Sequence, residues 1–357
     1  MSTRMSEKSW RDNVRQVVPY TAGEQPDGDD IVKLNTNENP YPPSESVTRI
    51  MREMNTDCFR LYPDMDVTPL ARTLAEEYHQ PEEKIFVGVG SDDVLANAFL
   101  TFFNSHLPIL FPDITYSFYP VWAGLYRIPY ETVPVDENFA IRPKDYEREN
   151  GGVIFPNPNA PTALFTPIEQ VERIVCANKD VVVIVDEAYI DFGGTSVMEL
   201  TDKYDNLLVV QTFSKSRSMA GMRIGFAVGN PQLIQAMKNV KFSINSYTMN
   251  QTAIFTGIEA VKDREYFKKT CEKLIQTREW AKEQFTRLGF TYPQSMANFI
   301  FVTHKEKSAK EIFAYLREQG IFVRYWDKPR IDNYLRITIG TREQMEKVFT
   351  VLEQYLA

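Results

Sequence analysis

A lysine flanked by serines and followed by an arginine stands in Thr212-Phe-Ser-Lys-Ser-Arg-Ser-Met-Ala-Gly-Met-Arg223. It lies directly after the apolar run Leu207 to Gln211. About thirty residues earlier, Val181-Val-Val-Ile-Val-Asp-Glu-Ala-Tyr189 ends another apolar run in a carboxylate and a phenol. A lysine amine set in such a place can form a Schiff base with a carbonyl. A carboxylate facing a ring nitrogen can keep it protonated, so that the ring accepts electrons. An arginine grips a phosphate through its planar fork of donors. Lys215, Asp186, Tyr189, Ser214 and Arg223 are together the groups needed to hold and use pyridoxal 5'-phosphate (PLP). Each alone has a duller reading: a solvated lysine, an aspartate capping a helix, a core tyrosine, a surface arginine. Their joint placement sets those readings aside, and Arg223 borders Gly221 and Gly225, where a backbone can approach a ligand.

The elements that must position these residues alternate. Helical spacing runs from Pro69 to His79, followed by a strand at Ile85 to Val89. A helix over Ser91 to Phe103 is expected to be capped by Ser91, with Asp92 and Asp93 in its first turn. Strands are expected at 108–111, 130–135, 153–155, 181–185, 207–211 and 224–228, with a helix at 169–177. The β-branched run at 181–185 reads as a strand buried on both faces of a parallel sheet. This pattern predicts an α/β fold, whose sites lie beyond the carboxyl ends of the strands. After Pro231 the texture changes. A long helical stretch runs to Leu288, interrupted near residues 243–250, and is followed by strands at 298–302, 321–324 and 334–339 with helices from Ser308 and Thr341. The expected organisation is an N-terminal arm at 1–45 joining the small domain, a large domain at 46–250 and a smaller α+β domain at 251–357.

The bulk properties narrow the function class. The 357 residues suit a large domain plus a smaller one. Forty basic against 48 acidic side chains leave a formal charge of −8, which argues against a nucleic-acid surface. Cys58, Cys176 and Cys271 are odd in number and far apart, as expected of a reducing compartment and hence the cytoplasm. The opening Met1 to Trp10 has no apolar core of a signal peptide, and no apolar run approaches the roughly 20 residues that span a bilayer. His79, His106 and His304 do not cluster, so no protein-built metal site is expected.

Gly88-Val-Gly-Ser-Asp-Asp93 opens a helix and can hold a phosphate on free N–H groups. It lacks the third glycine of a dinucleotide fingerprint and the Gly-Lys-Ser/Thr of a Walker loop. Tyr116 is placed to stack on a planar ring, or to serve as one more core aromatic.

Leu34-Asn-Thr-Asn-Glu-Asn-Pro-Tyr41, Arg60-Leu-Tyr-Pro-Asp64, Gly88 to Leu95, Asp186-Glu-Ala-Tyr-Ile190, Thr212-Phe-Ser-Lys215 and Tyr334-Leu-Arg-Ile-Thr-Ile-Gly340 follow one another along the chain. In these six motifs and their order the chain resembles the fold-type-I PLP-dependent aminotransferases, and most closely the histidinol-phosphate aminotransferase family. The resemblance covers nearly the whole chain. It implies a mostly parallel seven-stranded sheet between helices, with a smaller α+β domain. By motif, Lys215 would form the Schiff base and shuttle the proton, Asp186 would pair with the pyridine nitrogen, and Tyr189 with the ring oxygen O3′. The backbone of Ser91 and Asp92, with Ser214 and Arg223, would hold the phosphate, and Tyr116 would stack on the ring. Tyr62 would reach that phosphate from a neighbouring subunit, so the resemblance implies a homodimer with shared sites. Arg336 would clamp a carboxylate or its equivalent, and Arg324, Tyr20 and Asn37 would meet the far end of the substrate. The implied partners are small molecules, an amino donor and a 2-oxo acid: histidinol phosphate with 2-oxoglutarate.

The chain departs from the family at one motif. The usual Asn-Asn-Pro-Thr-Gly is replaced within Asn157-Pro-Asn-Ala-Pro-Thr-Ala163, so Ala160 stands where the asparagine beside O3′ would be. Either Asn159 or Asn157 shifts in, or Tyr189 serves O3′ without that partner; Asn159 is favoured. Rival activities are an aromatic amino-acid aminotransferase, a threonine-phosphate decarboxylase of the same fold, or a non-catalytic PLP-binding regulator.

Overall fold

A computed structural model describes residues 9–28 and 30–357. The opening residues 1–8, part of the expected arm and of the segment read for a signal peptide, lie outside the described residues.

The strands in chain order are β1 (Val32–Lys33), β2 (Ile85–Gly88), β3 (Ile109–Pro112), β4 (Tyr130–Val133), β5 (Val153–Pro156), β6 (Val183–Asp186), β7 (Leu207–Thr212), β8 (Gly225–Gly229), β9 (Phe290–Thr291), β10 (Phe299–His304), β11 (Ile321–Phe322), β12 (Arg324–Tyr325) and β13 (Leu335–Thr338). The α-helices are α1 (Glu45–Glu53), α2 (Thr68–Tyr78), α3 (Ser91–Phe102), α4 (Tyr119–Tyr126), α5 (Ile168–Ala177), α6 (Pro231–Ile244), α7 (Gln251–Lys262), α8 (Arg264–Arg287), α9 (Ala309–Glu318) and α10 (Arg342–Leu356).

A seven-stranded sheet of order β2-β8-β7-β6-β5-β3-β4 forms the centre of the large α/β unit. All its neighbours are parallel except β8, which runs antiparallel to both β2 and β7. β5, β6 and β7 are buried along their whole length. Each buried Val or Leu there contributes about 1.5–3 kcal/mol. The register sets Pro156 beside Asp186, so the carboxyl ends of β5 and β6 finish level. Because β8 is reversed, its first residue Gly225 pairs with both Thr212 and Gly88. The segment that enters β8 therefore meets the same sheet edge as the segments that leave β2, β6 and β7.

A second sheet, β12-β13-β10-β9, carries the smaller α+β unit. β1 pairs in parallel with β11, and Thr338 N–H donates to Leu34 O at 3.0 Å, so residues 32–34 lie along that unit. α7 packs in one apolar cluster with Leu70, Ile85 and Phe226 of the large unit. We propose on this packing that the division expected at residue 250 falls after α7, near Asp263.

The long helical stretch breaks twice. Beyond the interruption at 245–250, Asp263 ends α7 and caps α8 by accepting the Tyr266 N–H at 3.3 Å. No proline or glycine marks that break. α3 is capped by Gly90 (φ 89°) rather than by Ser91, which is the first helical residue.

Candidate active site

A cavity of about 520 Å³ opens at the sheet edge just described, between the two units and the segment 20–38. All the candidate site residues singled out from the sequence line it, except Tyr62, Asn157 and Asn159. Tyr62 is 80% exposed and stacks on Tyr247, ring centroids 4.5 Å apart. Asn159 is buried behind the wall, where its amide donates to Ile114 O at 3.0 Å and Thr162 Oγ1 at 2.9 Å. Asn157 is spent on Thr166, accepting its N–H at 2.7 Å and donating to its carbonyl at 3.0 Å. Ala160 and Pro161 face the cavity instead. Neither asparagine of this loop lines the cavity.

Asp186, at the end of β6, is 4% exposed. It accepts the Tyr119 hydroxyl at 3.0 Å and the Ala188 N–H at 3.2 Å. It has no ion-pair partner among the described residues, and burial pushes its carboxyl up to about 6. Tyr119 was not singled out from the sequence. Nothing in the local pattern distinguishes it from the other aromatics of its segment; only the fold sets it beside a carboxylate.

Lys215 follows β7 and donates to Thr36 O at 3.1 Å. Burial first, and then nearby Arg336, push its ammonium down to about 8. Its main chain is held by Asn39, whose amide donates to Lys215 O at 2.9 Å. Tyr189 is 9% exposed and accepts the Asn37 amide at 2.9 Å. Lys215 Nζ lies 6.0 Å from the Tyr189 ring centroid. Asn37 also donates its main-chain N–H to Thr338 Oγ1 at 3.1 Å and accepts the Thr338 hydroxyl at 3.0 Å, so both ends of its amide are taken.

One end of the cavity gathers groups that could hold a phosphate. The Ser91 and Asp92 N–H groups head α3, where no preceding turn supplies carbonyls. A Cβ on Gly90 would lie 2.4 Å from Arg223 Nη2, so the glycine leaves the space the guanidinium fills above the helix start. Gly225 serves packing rather than a ligand: a Cβ there would lie 2.3 Å from Ser91 N. Gly221 has nothing within 4 Å of such a Cβ. Arg223 reaches Asp92 at 3.3 Å, and Tyr116 donates to the other Asp92 oxygen at 2.9 Å. Ser214 Oγ accepts the Thr212 hydroxyl at 3.0 Å, which leaves its own proton to donate.

The other end holds two arginines. Arg324 and Arg336 stand directly opposite each other on β12 and β13. Their charges repel across that pairing unless an anion joins them. Trp326 lies under both, 5.4 Å and 5.2 Å from the guanidinium carbons. Arg336 donates to Asn35 O at 2.8 Å, while its Nε is buried without a partner. Tyr20 stacks on Phe118, centroids 4.4 Å apart, at the cavity mouth. Trp326 and Lys328 also line the cavity and were missed from the sequence, where no motif carries them.

Among the described residues no group of three or more His, Cys, Asp or Glu could hold a metal ion. No described helix is long and apolar enough to cross a membrane.

A buried carboxylate lacking a cation, an amine of lowered basicity and a phosphate cradle fit PLP. The comparisons with known proteins agree with that fit. The family profile "Aminotransferase class I and II" matches residues 29–352. A histidinol-phosphate aminotransferase of Lactococcus lactis subsp. lactis is 50% identical over 348 residues, covering 98% of this chain and 97% of that one. One from Pseudomonas putida is 51% identical over 343 residues, covering 96% and 99%. The histidinol-phosphate aminotransferase of Sinorhizobium meliloti, solved with pyridoxal-5'-phosphate, shares the fold at a TM-score of 0.84 and 22% identity, covering 91% of this chain and 90% of that one. Alignment at half identity from end to end leaves one assignment: the chain belongs to the class I and II aminotransferase family, among the histidinol-phosphate aminotransferases.

Proposed function

We propose that this aminotransferase interconverts L-histidinol phosphate and 2-oxoglutarate with imidazole-acetol phosphate and L-glutamate, a step of histidine biosynthesis. The observation that carries the substrate reading is the cross-strand pair Arg324 and Arg336, two cations at the far end of the cavity without a carboxylate partner among the described residues. Both natural substrates bring an anion there, a phosphate in one half of the reaction and a carboxylate in the other. The names of the half-identical relatives support the same pair.

When bound, PLP supplies a carbonyl that condenses with amines and a ring that accepts the electrons of the broken Cα–H bond. The chain's own residues do the rest. Arg223, the Ser214 hydroxyl and the N–H groups of Ser91 and Asp92 hold the phosphate. Asp186 takes the ring N–H, which satisfies a carboxylate that burial alone disfavours. Tyr189 turns its hydroxyl to the ring oxygen, and Tyr116 covers the ring. Lys215 Nζ would take a proton from the α-carbon of the amino donor and deliver it to the carbon that had been the cofactor's carbonyl carbon, so that the amino group stays with the cofactor. Near pH 8 about half of these amines are neutral, as a base and nucleophile must be. Arg336 clamps the carboxylate of 2-oxoglutarate, and Arg324 and Tyr20 close on the distal anion.

We further propose a homodimer with shared sites, in the cytoplasm. The stack of Tyr62 on Tyr247 joins two segments that also expose Phe59, Leu61 and Ile244, an apolar surface suited to a second copy. From there Tyr62 would reach the partner's phosphate. Three free cysteines suit a reducing compartment.

Steady-state assays test the reaction. Varying both substrates should give parallel double-reciprocal lines, and Lys215→Ala should abolish turnover. Intersecting lines, or near-normal turnover by Lys215→Ala, would overturn the scheme.

A further inference from the structure

Tyr189 lines the cavity together with Asp186, Lys215, Arg336 and Tyr20, yet its hydroxyl's one hydrogen-bond partner among the described residues is Asn37. That bond has a fixed sense. Asn37 donates its main-chain N–H to Thr338 Oγ1 at 3.1 Å, so the Thr338 hydroxyl proton must point elsewhere. It points to Asn37 Oδ1 at 3.0 Å. With Oδ1 accepting the Thr338 hydroxyl, Nδ2 is the end that donates to Tyr189 at 2.9 Å. A phenol that accepts on one side is left to donate on the other. The other side of Tyr189 is the cavity.

The backbone holds this arrangement. Asn37 adopts a left-handed conformation (φ 55°), which asparagine tolerates better than most residues. Its carbonyl accepts the Asn298 amide at 3.0 Å, and the residue is 1% exposed.

We propose that Asn37 is a positioning residue that dictates the direction of the Tyr189 hydroxyl, compelling it to donate to the oxygen of a ring bound in the cavity. Thr338 is the lock that prevents the amide from turning over. The assignment rests on the PLP reading of the site, and it moves Asn37 from the far end of the substrate to the ring oxygen. It also answers the vacancy left by Ala160: Tyr189 serves that oxygen without a loop asparagine, because Asn37 guarantees its donor sense.

A donor to the ring oxygen stabilises its anionic form. Losing the donor raises the pH at which the visible absorption band of the PLP-loaded protein titrates. We would record that band against pH for the wild type, Asn37→Gly, Thr338→Val, Tyr189→Phe and the double variant Asn37→Gly/Tyr189→Phe. Glycine suits the left-handed backbone, so it removes the amide without straining the turn. Tyr189→Phe should raise the midpoint by about one unit, a tenfold change, and Asn37→Gly by about half a unit. Thr338→Val should shift it in the same direction without touching Tyr189. In the Tyr189→Phe background Asn37→Gly should add nothing, since its action runs through the hydroxyl. Equal shifts by Asn37→Gly with and without Tyr189 would overturn the proposal, as would midpoints of Asn37→Gly and Thr338→Val that match the wild type. Absence of any visible band in the wild type would instead overturn the PLP reading beneath it.

Discussion

Lys215 Nζ donates to the main-chain carbonyl of Thr36 at 3.1 Å, across 179 positions of sequence. The same short segment meets the site at three further points. Asn35 O accepts from Arg336, Asn37 donates to Tyr189, and Asn39 donates to Lys215 O. Residues 35–39 thus tie groups of the sheet edge to the small unit, where Thr338 and Asn298 hold Asn37 in turn.

The state of Lys215 sets a pH dependence. Burial and Arg336 lower its ammonium to about 8, well below an ordinary lysine. The neutral amine is the nucleophile. The second-order rate of PLP loading onto the cofactor-free protein should rise about tenfold per pH unit up to about 8 and then level. Stopped-flow absorbance checks this. A rate still climbing at pH 10 would assign the chemistry to an ordinary exposed lysine.

Asp186→Asn should separate stability from activity. The carboxyl of Asp186 is raised to about 6, above its value of about 3.9 in an unfolded chain. A raised folded value means that its contribution to stability is fully present below about pH 4 and lost as pH rises through about 6. At pH 8 the buried charge therefore costs the cofactor-free protein up to about 3 kcal/mol. Asparagine can still accept the Ala188 N–H through Oδ1, while its Nδ2 donates to the Tyr119 hydroxyl oxygen, without the charge. Cofactor-free Asp186→Asn should melt higher than wild type at pH 8, with the gap closing towards pH 4, while turnover falls about a thousandfold or more. Scanning calorimetry at the two pH values, beside an activity assay, reads both effects.

The phosphate cradle depends on Gly90. An alanine Cβ would stand 2.4 Å from Arg223 Nη2, at a φ of 89° that strains any side chain. Gly90→Ala should weaken PLP binding about tenfold or more, equivalent to at least about 1.4 kcal/mol. Gly221→Ala, with open space around it, should leave the affinity unchanged. Equilibrium dialysis of the two variants makes the comparison.

How far the site was legible depended on which residues carry their own context. Lys215 and Asp186 end apolar runs, and the rule that sites lie beyond strand ends placed them together. Arg324 and Arg336 came from a motif resemblance; their face-to-face pairing is a matter of register between β12 and β13, which no local pattern encodes. The reversed β8, which brings Arg223 to the shared edge, reads from sequence like any other buried strand. α4 was missed because its residues Tyr119 to Tyr126 are nearly all apolar and show no helical period. Asn159 and Asn37 are one residue type in two asparagine-rich motifs, and only their partners tell them apart: Ile114 and Thr162 for the one, Tyr189 and Thr338 for the other.

The central claim is transamination of a phosphorylated amino donor, and a single half-reaction tests it most directly. The PLP-loaded protein would be titrated separately with histidinol phosphate, phenylalanine and threonine phosphate while the yellow band is followed. The account predicts bleaching to the pyridoxamine form at low histidinol phosphate, with little response to the other two. Preferential bleaching by phenylalanine, or release of carbon dioxide from threonine phosphate, would contradict it.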